Sequence, residues 1–182
     1  MFHPLFLSRR AACIGAVIAG LSACSSPPSA PLSTVAEVDL ARYSGAWYEI
    51  ASVPNRFQAQ CVADTQARYR PQGNDIEVLN RCRKADGTVE DITGVAKVVA
   101  GSGNAKLRVS FFWPFYGDYW VLALAPDYRW VLVGEPSRRY GWVRARAPVL
   151  SRADFDEAVG RAAALGYEPA AFRLTPQTRP LE

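Results

Sequence analysis

The cysteine at position 24 lies in a context that directs covalent lipid attachment. Leu-Ser-Ala at positions 21–23 precedes it, and an aliphatic residue followed by two small residues and a cysteine is the lipobox of bacterial lipoprotein precursors. Two arginines at positions 9 and 10 lead into an apolar stretch, 11–20, which is much shorter than the roughly 20 residues that span a bilayer. These features predict that 1–23 is a signal peptide and that Cys24 is acylated. The alternative is an ordinary secretory signal with an incidental cysteine.

Acylation of Cys24 would decide where the protein resides. Three acyl chains hold a protein at a membrane far more firmly than one, whose binding is only marginal. Ser25 follows the cysteine in place of the aspartate that commonly retains lipoproteins in the inner membrane, which favours an outer-membrane anchor with the protein facing the periplasm. Residues 25–34 are rich in Pro and Ser and poor in charge. We therefore expect residues 24–37 to be a lipidated N-terminus and flexible tether.

Two residue types occur only within the predicted signal peptide, and their loss excludes several kinds of chemistry from the mature chain. The only histidine is His3 and the only methionine is Met1, so the predicted mature chain contains neither. Acid–base catalysis by histidine, histidine-ligated metals and haem held by histidine or methionine are therefore excluded from it. The sequence therefore predicts no cofactor and no metal.

Cys61 and Cys82 are the cysteines that remain once Cys13 is cleaved off and Cys24 is acylated. In an oxidising compartment a disulfide is the default for such a pair. The alternative is a reactive or metal-binding pair, although a zinc site normally needs four ligands. If residues 71–73 form a three-residue hairpin loop, the two cysteines miss register by one residue, which one β-bulge corrects. Such a disulfide would staple the second and third strands and add about 3 kcal/mol of stability.

Size and charge are those of one ordinary domain. Removal of residues 1–23 leaves 159 residues with a net charge of +2, against +4 for the full chain. That length buries a sufficient core without metals. The lysines and arginines are scattered, so the sequence pI of about 9.0 does not predict binding to nucleic acid.

From residue 45 onward the chain is a series of short β-rich runs separated by turn residues. Eight strands are predicted, at residues 46–53, 62–70, 76–84, 89–99, 105–112, 118–125, 130–134 and 140–145. Sequential hairpins of this kind predict an all-β fold, an eight-stranded up-and-down antiparallel β-barrel able to hold one small ligand.

One segment after the last strand has helical periodicity. Ser151 and Asp154 are spaced as in a capping box with Asp in place of Glu, and Gly166 supplies a stop. The apolar residues recurring at helical spacing are Phe155, Ala158, Val159, Ala162 and Leu165. This pattern predicts one C-terminal amphipathic α-helix packed outside the barrel. Its expected partners on the sixth strand are Trp120, Leu122 and Leu124.

Several short motifs occur together in one order. They are Gly45-Ala46-Trp47-Tyr48-Glu49-Ile50-Ala51, Pro54-Asn55-Arg56-Phe57, the aromatic segment 109–117, Ala125-Pro126-Asp127-Tyr128 and Arg146. In this combination the chain resembles the lipocalins, and more closely the bacterial lipocalin and apolipoprotein D-like branch, over residues 38–174. The resemblance implies a lipocalin domain over residues 38–182 whose motif residues are structural. Those residues are Gly45, Trp47, Asp127, Tyr128 and Arg146.

Each motif residue also has a physical interpretation. Trp47 is expected to plug the closed end of the barrel with the Arg146 guanidinium on its indole face, a contact worth about 0.5–2 kcal/mol. Asp127 and Tyr128 are expected in a tight turn, for which Pro126 and Asp127 have suitable chemistry.

The predicted ligand site is the inner face of the barrel. Both faces of the sixth strand are apolar, which suggests that Tyr119, Val121 and Ala123 face a cavity. Resemblance to other lipocalins extends this inward set to Leu107, Val109, Phe111, Trp130, Leu132 and Trp142, with Tyr116 near the rim. An aromatic-rich apolar cup suits an acyl chain. The alternative is a closed core that the side chains fill themselves.

Arg144 is two residues from Trp142 and is therefore expected on the same face. It would meet a carboxylate or phosphate of the ligand, or else be solvated or internally paired.

Three functions follow from these features. The first is binding of a fatty acid, lysophospholipid or similar apolar ligand for storage or transport in the cell envelope, without catalysis. The second is a lipocalin-fold enzyme that uses carboxylates such as Asp64, Glu77, Glu90 and Asp118. The third is a structural envelope lipoprotein with no ligand. The expected partners are the lipid and the membrane through Cys24, not nucleic acid, and a homodimer is left open.

Overall fold

The computed structural model describes residues 31–181. The elements in chain order are α1 (Leu40–Tyr43), β1 (Gly45–Ser52), a 3₁₀ turn (Arg56–Gln58), β2 (Cys61–Gln72), β3 (Asp75–Lys84), β4 (Val89–Val98), β5 (Lys106–Phe112), β6 (Phe115–Leu124), β7 (Trp130–Gly134), β8 (Gly141–Ala145), α2 (Arg152–Ala164), a second 3₁₀ turn (Pro169–Ala171) and β9 (Arg173–Leu174). The predicted signal peptide and Cys24 lie outside this range. Within it, no helix has the length and apolarity needed to cross a bilayer.

The strands form a closed antiparallel barrel. Each of β2 to β7 pairs with the next strand, β8 pairs with β1, and β1 pairs with β2 to close the circle. The predicted eight-stranded up-and-down barrel is therefore confirmed. The sequence did not predict the two-residue strand β9, which pairs with the end of β1 through Ala51 and Leu174.

Side chains of the barrel divide into an inner and an outer cluster, and β6 changes faces part-way along. Tyr119 and Val121 belong to the inner cluster and Leu122 to the outer one, as alternation predicts. The pairing of β6 with β7 then shifts between Val121 and Ala123. This bulge turns Ala123 outward and Leu124 inward, so the predicted orientations of both were wrong.

The same register corrects two predicted ligand-site residues on β7. Val133 pairs with the inward-facing Val121, and directly opposed residues in a sheet share a face. Val131 and Val133 therefore point into the barrel, whereas Trp130 and Leu132 lie in the outer cluster. The prediction that Trp130 and Leu132 line the cavity is wrong because they pack beneath the helix.

Helix α2 covers that outer cluster. It begins after Ser151, whose hydroxyl accepts a hydrogen bond from the Asp154 backbone N–H at 3.1 Å, as in the predicted capping box. Ala158 and Ala162 are fully buried against the barrel. Gly166 follows the helix with φ +84°, a left-handed conformation that favours glycine.

A disulfide joins Cys61 on β2 to Cys82 on β3, with α-carbons 5.5 Å apart, which confirms that prediction. The expected register was wrong, because Gln72 pairs with Asp75 across a two-residue turn. Two irregularities, on either side of Ala63, then bring the cysteines together in place of the single bulge that we expected.

One end of the barrel is closed by α1 and the start of β1. Trp47 is fully buried, and its indole N–H donates to the Tyr43 carbonyl at 2.7 Å. The Arg146 guanidinium carbon lies 3.9 Å from the centroid of the Trp47 indole, so the predicted contact is present. In the neighbouring turn, Tyr128 adopts φ +65°, and its hydroxyl accepts from the Asp39 backbone N–H at 2.9 Å.

The segment before α1 is packed rather than free. Leu32 is buried in the outer cluster, and the Val35 N–H donates to the Val121 carbonyl at 3.0 Å. A Cβ atom at Gly103 would lie 2.1 Å from the Ala36 carbonyl oxygen, so a side chain there would collide with it. The expectation that the tether continues to residue 37 is therefore wrong, because the folded domain begins by Leu32.

Candidate functional site

The inner face of the barrel is apolar, and its side chains become partly exposed towards one end. Because β1 starts at the closed end, the connections β1–β2, β3–β4, β5–β6 and β7–β8 surround the other end, which is the mouth. Val109, Phe111 and Trp142 belong to the inner cluster and are only partly buried, whereas the deeper Leu107 and Val121 are fully buried. The lower half of the barrel is thus filled, and the upper half is accessible. We call this upper space the chamber.

Phe111 and Tyr116, both predicted at the ligand site, lie on opposite faces of the barrel wall. The Phe111 ring lies directly against β4 at Gly94, where a Cβ atom would come within 2.6 Å of the ring. Tyr116, predicted near the rim, instead faces outward, with the Arg108 guanidinium carbon 5.7 Å from its ring centroid. Tyr116 and the inward-facing Tyr119 are separated by an odd number of positions along β6. Side chains with that separation on a strand point to opposite faces.

Three tyrosine hydroxyl groups meet below the chamber, at the level where Tyr119 pairs with the fully buried Leu107, and we call this level the floor of the chamber. The Tyr43 and Tyr119 oxygens are 2.7 Å apart, and the Tyr69 hydroxyl donates to Tyr119 across 2.8 Å. Burial raises the pKa of both Tyr43 and Tyr119, so these groups remain protonated at neutral pH. Since two hydrogen bonds join three hydroxyl groups, one of the three protons has no acceptor within this tyrosine trio.

The guanidinium of Arg144 lies beside the trio. Its side chain shares the inner face with Trp142, as predicted, and the residue is only 5% exposed. Burial opposes its charge, but the neighbouring Tyr69 and Glu49 outweigh that effect and hold the pKa of Arg144 above its usual value. Arg144 is therefore a buried cation and not a solvated one.

The charge and the N–H donors of Arg144 are only partly paired by neighbouring groups. Its Nη2 lies 3.8 Å from Glu49 Oε2, which is beyond hydrogen-bonding distance. Its Nε and Nη1 are buried and have no hydrogen-bond partner among residues 31–181. Buried donors without acceptors are costly, so the floor of the chamber has a surplus of donors that an anionic oxygen would satisfy.

Glu49 links the floor of the chamber to its mouth. Its Oε2 accepts from Gln58 Nε2 and its Oε1 from the Thr175 hydroxyl, both at 2.8 Å. Gln58 Oε1 in turn accepts from the Trp142 indole N–H at 2.8 Å. These bonds fix the orientation of Trp142 and leave the Glu49 carboxylate already engaged on both oxygens.

The C-terminal segment closes a gap between two strands. β1 and β2 pair only from Gly45 to Tyr48, and beyond that point residues 175–181 run along the seam, with the Thr175 N–H donating to the Ile50 carbonyl. A cavity of about 270 Å³ lies at this seam. It is lined by Glu49, Ser52, Pro54, Asn55, Gln58, Ala59, Cys61, Val62, Thr65, Arg173, Leu174, Thr175 and Pro176.

Asp64 holds the C-terminal segment in place. This fully buried residue adopts φ +55°, and its Oδ1 accepts from the backbone N–H groups of Thr178 and Arg179 at 2.6 and 2.9 Å. Its Oδ2 pairs with Arg83 Nε at 2.6 Å. Burial acts to raise the pKa of Asp64, but Arg83 and the two backbone donors outweigh it and lower that pKa.

Asp64→Asn is expected to lower the free energy of unfolding by about 3 kcal/mol at pH 7, because it leaves Arg83 without its buried partner. The folded-state pKa of Asp64 is lowered, so its stabilisation is present above the unfolded pKa of about 3.9 and is lost as the pH falls through the folded pKa. Urea unfolding of both proteins should thus show a difference that shrinks at acid pH. Asp156→Asn, which breaks an exposed pair with Arg152, should change stability by less than about 1 kcal/mol. A difference for Asp64→Asn that is independent of pH would contradict this account.

The other carboxylates considered for catalysis lie apart. Asp64 is on β2 and is committed to the C-terminal segment. Glu77 on β3 pairs with Arg70 at 3.3 Å. Glu90 on β4 and Asp118 on β6 are exposed. The structure does not bring these four residues together at the chamber.

Comparison with known proteins identifies the family of this barrel. A family model described as a lipocalin-like domain matches residues 38–177. This chain belongs to the lipocalin family. The lipocalin is 38% identical to temperature-induced lipocalin-1 of Arabidopsis thaliana over 157 residues, which are 81% of this chain and 83% of that protein. It is 36% identical to the outer membrane lipoprotein Blc of Escherichia coli K12 over 152 residues, 82% of this chain and 86% of Blc.

Among solved structures, insecticyanin of the tobacco hornworm Manduca sexta matches the lipocalin with a TM-score of 0.67 at 20% identity, covering 85% of this chain and 87% of that one. At this identity the match supports the fold alone. The predicted resemblance to the bacterial lipocalins is confirmed by the Blc match.

Sequence reasoning missed the polar part of the lipocalin's site. Glu49 lies within the first motif, and Tyr43, Gln58 and Tyr69 come from α1, the mouth and β2, so no local spacing connects them. Strand alternation puts Ala67 and Tyr69 on one face of β2, and this was the local signal available for Tyr69. Their meeting depends on the closure of the barrel.

Proposed function

We propose that this lipocalin binds a fatty acid, lysophospholipid or similar acyl amphiphile in the chamber, for storage or transport in the cell envelope. The observation that carries the proposal is the apolar wall of Val109, Phe111 and Trp142 above the incompletely paired Arg144. Apolar walls with a few fixed polar groups are the usual composition of small-molecule sites. Of the predicted ligand residues, Trp130, Leu132 and Tyr116 are left out of this proposal.

The proposal includes a location at the outer membrane, anchored through Cys24 and facing the periplasm. The lipobox supports the anchor, and the Escherichia coli relative is named an outer membrane lipoprotein. A barrel held at the membrane surface would have direct access to released acyl chains.

Tryptophan fluorescence tests the position of the ligand. Trp142 lies at the chamber and Trp130 lies beneath α2, so we expect palmitate to quench the delipidated Cys24→Ser protein, prepared without detergent. Trp142→Phe should remove most of that quenching, whereas Trp130→Phe should retain it. Native mass spectrometry of the same samples should show one bound acyl ligand per chain in all three proteins.

Two results would contradict the proposal. Folded protein that binds neither palmitate nor lysophospholipid by mass spectrometry would favour the structural envelope lipoprotein. Quenching that depends on Trp130 and not on Trp142 would place the ligand outside the barrel.

A further inference from the structure

The chamber has polar groups at its floor, and exposed aromatic side chains lie at its mouth together with Arg56. At the floor lie the tyrosine trio and Arg144. At the mouth, the hairpin between β5 and β6 exposes Phe112, Trp113 and Phe115, with Trp113 83% exposed. An amphiphile would therefore meet apolar surface first and hydrogen-bond donors last.

The donors at the floor lack acceptors. Arg144 contributes Nε and Nη1, and the tyrosine trio contributes one proton that has no acceptor within the trio. The nearest carboxylate, Glu49, already accepts one hydrogen bond on each oxygen from other residues. A carboxylate accepts at both oxygens, so it can satisfy donors of the Arg144 guanidinium together with a tyrosine hydroxyl.

We infer that the ligand enters with its carboxylate first, so that the acid group binds Arg144 and the tyrosine trio at the floor while the acyl chain extends towards the mouth. This inference rests on the proposed acyl-binding function and specifies its ligand class as free fatty acids. In the opposite orientation, the methyl end would lie against unpaired buried donors, and the charged group would lie at the mouth beside the exposed, solvated Arg56. A lysophospholipid would have to bury a much larger headgroup between Trp142 and Phe111 to reach Arg144.

A ligand series on one protein tests this orientation without any change in the barrel. The detergent-free Cys24→Ser protein is titrated with palmitate, methyl palmitate and 1-palmitoyl lysophosphatidylcholine, which share the acyl chain and differ in the head. We expect palmitate to bind about 10- to 100-fold more tightly than the other two, as the loss of charge-assisted hydrogen bonds predicts. Equal or tighter binding of the lysophospholipid would overturn the inference.

Matched arginine variants locate the contact. Arg144→Met should weaken palmitate binding by about 10- to 100-fold and leave methyl palmitate binding within about twofold. Arg56→Met makes the same substitution at an exposed site on the mouth and should leave both affinities unchanged. Weakening by Arg56→Met and not by Arg144→Met would place the head at the mouth and overturn the inference.

A spectroscopic measurement covers the case in which Arg144→Met does not fold. Palmitate labelled with ¹³C at the carboxyl or at the terminal methyl is bound to the detergent-free Cys24→Ser protein, and a soluble gadolinium chelate is added. We expect the methyl signal to broaden and the carboxyl signal to be protected. The reverse pattern would overturn the orientation, whereas the absence of any bound signal would count against acyl binding itself.

Discussion

Cys24→Ser is expected to abolish acylation and to release the protein from the membrane completely. The Cys24 thiol takes the diacylglyceryl group of a bacterial lipoprotein, and serine at this position leaves no thiol to which that group can be attached. Metabolic labelling with an alkyne fatty acid, followed by fractionation of the envelope, measures both effects. For the release experiment the variant carries a cleavable secretory leader in place of residues 1–23, so that an uncleaved signal does not retain it.

The control for this experiment is Cys13→Ser, which removes the thiol that lies in the apolar stretch 11–20 of the predicted signal peptide. It should remain acylated and sediment with the outer membrane. If the Cys24→Ser protein still incorporates label, or if Cys13→Ser loses it, the assignment of the anchor is wrong.

Val109→Asp is expected to weaken acyl binding by at least about 100-fold, because it places an unpaired carboxylate on the apolar wall of the chamber. Val109 is partly exposed to the chamber, so the carboxylate keeps contact with water in the empty barrel, and folding should survive. Palmitate titration followed by native mass spectrometry measures the loss, and near-ultraviolet circular dichroism checks the fold. The same change at the fully buried Val121 would affect folding as well as binding.

Val149→Asp is the matched control, because Val149 is 79% exposed and lies beyond the end of β8, away from the mouth. It should bind palmitate as the unmodified protein does. Retention of full affinity by folded Val109→Asp would move the ligand away from the chamber.

The fold was predictable where local signals agree with one another. Turn residues separate all eight barrel strands, and the Ser151 cap precedes a helical stripe, so these elements follow from short-range chemistry. Arg144 and Trp142 were correctly placed on one face because β8 has no bulge between them. The prediction failed at Ala123 and Leu124 because the β6 bulge depends on pairing with β7. It failed at Trp130 and Leu132 because the register in which Val133 pairs with Val121 sets the face of β7.

The sequence by itself determined the chemistry that depends on adjacent residues or on which residue types the chain contains. The lipobox predicts lipidation of Cys24, and the lack of histidine and methionine beyond residue 23 restricts catalysis. Because Cys13 is predicted to be cleaved off and Cys24 to be acylated, Cys61 and Cys82 were predicted to pair, as they do. Only the tertiary structure decided what meets inside the barrel. Side-chain alternation has a period of two only until a bulge interrupts it, and the tyrosine trio comes from α1, β2 and β6, which barrel closure alone brings together. The same closure buries Arg144 near these hydroxyl groups and leaves its Nε and Nη1 without a hydrogen-bond partner among residues 31–181.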